Sequence, residues 1–171
     1  INSKIVNLAH RQGFSDTKIV DITDFSSFQD IVTNHNSFIE FQSHGEMSYL
    51  EKKIKFLKKP DLLLPNAKRA IMVNMNYLPR NSSERWLSIE KQNLHNHNNA
   101  QISLYARGRD YHKVLRERLK RLGSQISAEM KSFGYRACVD SAPIFEVELA
   151  CKGGLEIGRR RVGKECRSRW S

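Results

Sequence analysis

The chain has 171 residues, 39% of them hydrophobic and 27% charged, with a formal net charge of +11. That is the size of one domain able to bury a core without disulfide or metal staples, and the composition of a globular protein rather than a fibrous or disordered one. No apolar run approaches the roughly 20 residues of a membrane-spanning helix, and the first residues lack the basic start, apolar middle and small-residue cleavage site of a secretory leader.

In residues 1–14, Ile5, Val6 and Leu8 precede Gly13, which predicts a short helix with a glycine stop. Residues 18–22 alternate and are β-branched, so they read as a strand. Ser26 or Ser27 is placed to cap a helix running to about Asn36, with Phe28, Ile31 and Val32 inward. A basic helical stretch then runs to Lys59 and ends at Pro60. Residues 70–77 form a near-continuous apolar run that predicts a central strand buried on both faces, ended by Pro79. The polar, Asn-rich stretch 80–101 reads as a long loop. From Asp110 to about Ser132, Tyr111, Val114, Leu115, Leu119, Leu122, Ile126 and Met130 keep the 3.6-residue period of one long amphipathic helix. Asp110 is its N-cap or first-turn acid, and Gly134 its stop. Residues 135–140 suit another short strand, and 142–150 a helix with Pro143 near its first turn. Strands and helices intermingle throughout, so the expected fold is α/β (α+β): a single domain with a small mixed sheet flanked by helices.

The charge is uneven. From Tyr105 onward there are sixteen Lys/Arg against eight Asp/Glu, which places +8 of the +11 in the last stretch. Such a concentration favours a polyanionic partner, RNA first, through phosphate neutralisation; a solvated helix face with a basic tail fits the same charge distribution. Cys138, Cys151 and Cys166 form no C-x-x-C pair, so they build neither a zinc knuckle nor a ferredoxin-type cluster and read as free thiols of a reducing cytoplasm. His95 and His97 stand among asparagines with no third strong ligand, and no metal is expected there. No G-x-S-x-G, Walker loop or G-x-G-x-x-G is present, so serine hydrolase, P-loop NTPase and Rossmann chemistry drop out.

Two segments concentrate polar groups against Gly or Pro. Residues 105–112 hold two guanidiniums (Arg107 and Arg109), the carboxylate of Asp110, the phenols of Tyr105 and Tyr111, and the imidazole of His112, with Gly108 allowing close backbone approach. The arginines can grip oxygens in a planar fork, and equally fit a helix start with its charges in water. Asp140 follows an apolar run and precedes a Ser141-Ala142-Pro143 turn. A carboxylate at a strand end is a frequent general acid, because burial raises its pKa towards working pH; the same residue also fits an Asx turn. The two segments flank the long helix, whose ends can bring them to one pocket.

Taken together, four motifs resemble the N-terminal domain of the epoxyqueuosine reductase family: His44-Gly45-Glu46-Met47-Ser48-Tyr49-Leu50, Asn74-Met75-Asn76-Tyr77-Leu78-Pro79, Tyr105-Ala106-Arg107-Gly108-Arg109-Asp110-Tyr111-His112-Lys113 and Val139-Asp140-Ser141-Ala142-Pro143-Ile144. The resemblance covers residues 1–155. It implies a cobalamin-dependent, iron–sulfur oxidoreductase of queuosine biosynthesis, which removes the epoxide oxygen of epoxyqueuosine at the wobble position of tRNA. It also implies that Asp140 is the catalytic acid protonating the departing oxygen. Tyr77, Tyr105, Arg107, Arg109, Asp110, His112 and Ser141 would then line the cobalamin and substrate cavity. The implied partner is tRNA, in the cytoplasm; a separate ferredoxin-like electron donor is a further candidate that the resemblance itself does not supply.

The departures carry expectations of their own. After Leu155 the family continues with a Gly-Trp-x-Gly-Lys segment, two cysteine sets for 4Fe-4S clusters and a helical-repeat region. Here 156–171 is a divergent basic tail, expected to be disordered or a frameshift remnant, and Val147 stands where the family carries an arginine. The resemblance thus implies a truncated reductase without its cluster ligands. The alternatives are a cofactor-free basic RNA-binding module and an inert gene fragment.

Overall fold

The structure is a computed structural model that describes residues 2–24, 28–48, 50–51, 55–56, 59–78, 83–96, 98, 100–130, 133–139 and 142–155. Helix α1 (Asn2–Arg11) places Ile5, Leu8 and Ala9 on one buried face. It closes as its sequence predicts. Gly13 takes a φ of +84°, its N–H donates to the His10 carbonyl, and Phe14 N–H donates to that of Ala9. Those paired bonds satisfy two orphan carbonyls, and they turn Phe14 into the core.

Strand β1 (Asp16–Asp21) pairs antiparallel with β2 (Arg69–Asn74), with Ile19 opposite Ile71 and Val20 opposite Ala70. Between them come α2 (Gln29–Glu40) and a 3-10 turn at Pro60–Leu62. After β2 follow α3 (Glu84–Leu94), a 3-10 turn at Leu104–Ala106, α4 (Tyr111–Glu129) and α5 (Glu146–Lys152).

Alternation along the strands divides the core in two. Ile19, Ile71 and Val73 pack with Ile5, Leu8 and Phe14, and with Leu122 and Ile126 of α4. On the other face Val20, Ala70 and Met72 pack with Phe28, Ile31 of α2 and Leu149 of α5. The sheet therefore lies between a layer of α1 and α4 and a layer of α2 and α5. This is the expected α/β arrangement, a small sheet flanked by helices in one domain. Helix α5 ends in the same way as α1: Gly154 (φ +70°) donates to Cys151, and Leu155 N–H reaches the Ala150 carbonyl, burying the Leu155 side chain.

Several expected elements differ. Among the described residues the sheet has two strands, both antiparallel, so β2 is not central. Helices cover both of its faces, yet five of its six residues are only half-buried, because its outer flank opens on a cavity. Residues 133–139 carry no ladder; they have the composition of a strand without a partner edge in hydrogen-bond reach. The stretch expected as a loop contains α3, started by Ser83, whose side chain accepts from Trp86 N–H, with Glu84 in the first turn. Helix α4 stops at Glu129 with Met130 as its extended C-cap, so Gly134 is not its stop. Helix α5 begins at Glu146, because residues 142–144 are held in turns by Ala142 N–H to Val139 and Ile144 N–H to Ala142. Ser26, Ser27, Pro79, His97, Asp140, Ser141 and the tail 156–171 lie outside the described residues.

Candidate functional site

A half-open cavity of about 1320 Å³ is lined by the outer flank of β2 with 75–78, the apolar face of α4 and the extended 133–139 segment, together with residues from 63–68 and 144–150. Most of its walls are aliphatic or aromatic, with Ile71, Val73, Leu115, Leu119 and Phe133 among them. Segment 133–139 reaches it by doubling back along α4. Ser127 Oγ donates to the Phe133 carbonyl (3.1 Å), Ser124 Oγ and Tyr135 Oη share a bond (2.8 Å), and Tyr135 Oη donates to the Lys120 carbonyl (3.3 Å). Each step along the segment moves towards the N-terminal end of α4. Gly123 makes the close approach feasible: a Cβ there would run into the Tyr135 ring. Across the cavity, Arg136 Nη1 donates to the Leu63 carbonyl at 2.9 Å.

Val139 and Ile144, on either side of the undescribed Asp140 and Ser141, both line this cavity. So does half-buried Cys138. Burial pushes its thiol up, with Glu146 acting in the same direction and Arg136 against them, so the sulfur is a neutral thiol at pH 7.

The polar segment 105–112 stands at the mouth rather than in the wall. Tyr77 lines the cavity and is 61% exposed at its rim. Tyr111, the first residue of α4, also lines it. The Tyr111 ring stacks on His112 (4.0 Å between centroids, 28°) and meets Tyr105 edge-on at 6.0 Å. Asp110 caps α4: its Oδ1 accepts from His112 N–H at 3.0 Å and lies 3.2 Å from the ring Nδ1. Burial acts to raise the Asp110 carboxyl, but the bonds from the His112 N–H and ring, with the charges of His112 and Lys113, hold it below the ordinary range.

Arg107 is committed elsewhere. Its Nη1 donates to both carboxylate oxygens of Glu90 on α3, each at 2.8 Å, and its Nε to the Ile102 carbonyl at 2.8 Å. Tyr105, Arg107, Arg109, Asp110 and His112 thus neighbour Tyr111 without lining the cavity. Gly108 takes a φ of +105° with open space where a Cβ would stand, so backbone conformation selects glycine there. His44 lies apart. It is buried beside Phe38, with Nε2 3.2 Å from Glu51 and Nδ1 without a hydrogen-bond partner among the described residues. Residues outside the four motifs, Leu115 and Phe145, also line the cavity; the helical period already turned Leu115 inward.

Among the described residues no group of three His, Cys, Asp or Glu side chains could hold a metal ion, and no helix is long and apolar enough to cross a membrane.

Residues 58–141 match the family model described as Epoxyqueuosine reductase QueG, DUF1730. The chain is 43% identical over 111 residues to an epoxyqueuosine reductase of Alicycliphilus denitrificans, covering 65% of this chain and 31% of that protein. It is 38% identical over 153 residues to that of Vibrio cholerae (90% and 39%). With that of Escherichia coli the identity is 41% over 143 residues (84% and 35%). The chain spans about a third of the length of these curated relatives. No solved structure matches it. The matched region contains β2, the rim tyrosines, all of α4 and the segment that doubles back over the cavity, and on that basis the chain belongs to the epoxyqueuosine reductase family.

Proposed function

We propose that this chain is the cobalamin- and substrate-binding domain of an epoxyqueuosine reductase acting on tRNA. The observation that carries the reading is the apolar cavity between β2 and α4, rimmed by Tyr77 and Tyr111. At about 1320 Å³ it exceeds the roughly 300–1,000 Å³ of drug-sized pockets and suits a flat macrocycle together with a nucleoside. Its aliphatic walls suit the faces of a corrin. The donors at the mouth suit its amide rim: the Tyr77 and Tyr105 hydroxyls and the exposed Arg109 guanidinium.

Cobalamin bound there supplies a reduced cobalt as the local electron source. Turning the epoxide into an alkene takes two electrons and two protons and releases the oxygen as water. In this reading Asp140 gives a proton to the departing oxygen, which suits its position between Val139 and Ile144, two residues that line the cavity. Ser141 and the Tyr111–His112 stack orient the substrate. Asp110 holds His112 and caps α4, and Arg107 braces the mouth through Glu90.

An iron–sulfur cluster does not fit the residues present. The three cysteines are widely spaced, and no described trio of ligands exists. In this reading electrons reach the cofactor from a donor outside these residues, a ferredoxin-like group being the one expected.

Mixing the purified chain with cob(II)alamin and recording the visible spectrum and gel-filtration profile tests the cavity. Co-elution with a spectral shift is expected, and Tyr111→Ala should weaken it. Absence of uptake sinks the reading and leaves a cofactor-free RNA-binding module or an inert fragment. In a full-length relative, Asn at the acid matching Asp140 should abolish turnover while leaving the corrinoid bound. Near-normal turnover would remove that acid from its role.

A further inference from the structure

Opposite its buried stripe, α4 carries a polar one. Lys113, Arg116, Glu117, Lys120, Arg121 and Ser124 recur at spacings of three and four, on the face turned away from Leu115, Leu122 and Ile126. Arg121 leans on Glu117 at 3.9 Å. Among the described residues Lys113, Arg116 and Lys120 make no salt bridge, and all three are exposed. Like charges one turn apart weaken a helix, and Glu117 is the single acid among these cations. Lys113 also offsets the Asp110 carboxylate, but Arg116 and Lys120 form no ion pair among the described residues, which leaves their charge turned outward.

The geometry points to a polynucleotide. Three cations follow one another along about 10 Å of helix axis, a line rather than a disc, which matches a phosphate chain. No apolar side chain shares the face, so it lacks what an interfacial helix inserts into a bilayer. At one end stands Tyr135, 37% exposed, its hydroxyl fixed by Ser124 and Lys120. At the other end lie Arg109, Tyr105 and the cavity mouth at Tyr111.

We infer that Lys113, Arg116 and Lys120 form the track on which the RNA backbone lies, carrying the reactive nucleotide to the cavity mouth. This rests on the RNA substrate of the proposed function and adds the surface that holds it. The test is fluorescence anisotropy of the full chain with a labelled RNA hairpin over a salt series. Lys113→Gln/Arg116→Gln/Lys120→Gln should weaken binding more than tenfold. It should also flatten the slope of log K against log salt by about 2 to 3, some 0.7–0.9 for each phosphate no longer neutralised. Lys113→Arg/Lys120→Arg should restore both, and Lys55→Gln/Lys59→Gln should leave the slope near its original value. Circular dichroism checks that the triple variant stays folded.

An unchanged slope in a folded triple variant, or no salt-sensitive RNA binding by the parent chain, overturns the inference. So does an equal, equally affected affinity for polyglutamate or for phosphatidylserine vesicles. Corrinoid uptake, measured in parallel, should survive the triple substitution. Lost uptake in a parent chain with an intact RNA slope would count against the cavity and spare the track.

Discussion

Helices α3 and α4 start alike and end up in different positions. Each is opened by an N-cap side chain accepting a backbone N–H, from Ser83 to Trp86 and from Asp110 to His112. Helix α4 then buries Leu122, Gly123 and Ile126 between sheet and solvent, whereas α3 buries no residue and leaves Leu87, Ile89 and Leu94 exposed. Capping decides where a helix begins; burial decides whether the rest of the molecule depends on it. The candidate site joins the two, since the Arg107–Glu90 pair ties the mouth of the cavity to α3.

The largest contrast comes from truncating one apolar side chain in each helix. Ile126→Ala, at a position 2% exposed, should cost about 3 kcal/mol in urea unfolding. Leu87→Ala, at a position 42% exposed, should stay within about 0.5 kcal/mol of the parent chain. Equal losses would mean that α3 belongs to the same cooperative core. Next in size is Gly123→Ala, which sets a methyl group against the Tyr135 ring and should cost about 2 kcal/mol while altering tyrosine fluorescence. An unchanged midpoint would show that the 133–139 segment simply moves aside.

Smaller effects sharpen the picture at the helix starts. Ser83→Ala should remove about 1 kcal/mol from α3 alone, visible as faster amide exchange over 84–90 with little change in the global midpoint. A double-mutant cycle on Arg107 and Glu90, half-exposed and mostly buried at their side chains, should return a coupling of about 1 kcal/mol that falls with salt. The smallest effect is titration of Asp110. A carboxyl held below its unfolded value contributes stability above that value, and loses it as pH falls through the folded one. Asp110→Asn should keep the cap and remove that acid-side dependence; a parent-like acid profile would assign it to other groups.

Much of the fold was legible because its elements bury a periodic stripe. Ile5, Leu8 and Gly13 announced α1, and the period of Leu115, Leu122 and Ile126 announced α4. Asp110 read correctly as a cap from its place before the first inward residue. Helix α3 was missed because it has no buried apolar stripe to mark it; the local signal was Ser83 followed at once by Glu84. The 133–139 segment misled for the opposite reason. Its residues suit a strand, but a ladder needs a partner edge, which is a property of the whole fold. At the site, Tyr77 and the nearness of the 105–112 segment to α4 were readable. The engagement of Arg107 by Glu90, seventeen residues away across α3, was not.

The outer flank of β2 has one more consequence, for anyone handling the chain at the bench. Among the described residues no third strand covers it, so a row of backbone donors and acceptors faces the cavity. An unpaired edge of this kind can pair with a second molecule where it is reached, and repulsion from a net charge of +11 opposes that approach. Strong brine, the usual way to wash nucleic acid off a basic protein, silences that repulsion and bares the adhesive border. The chain should therefore clump on scrubbing in concentrated salt and disperse again on dilution.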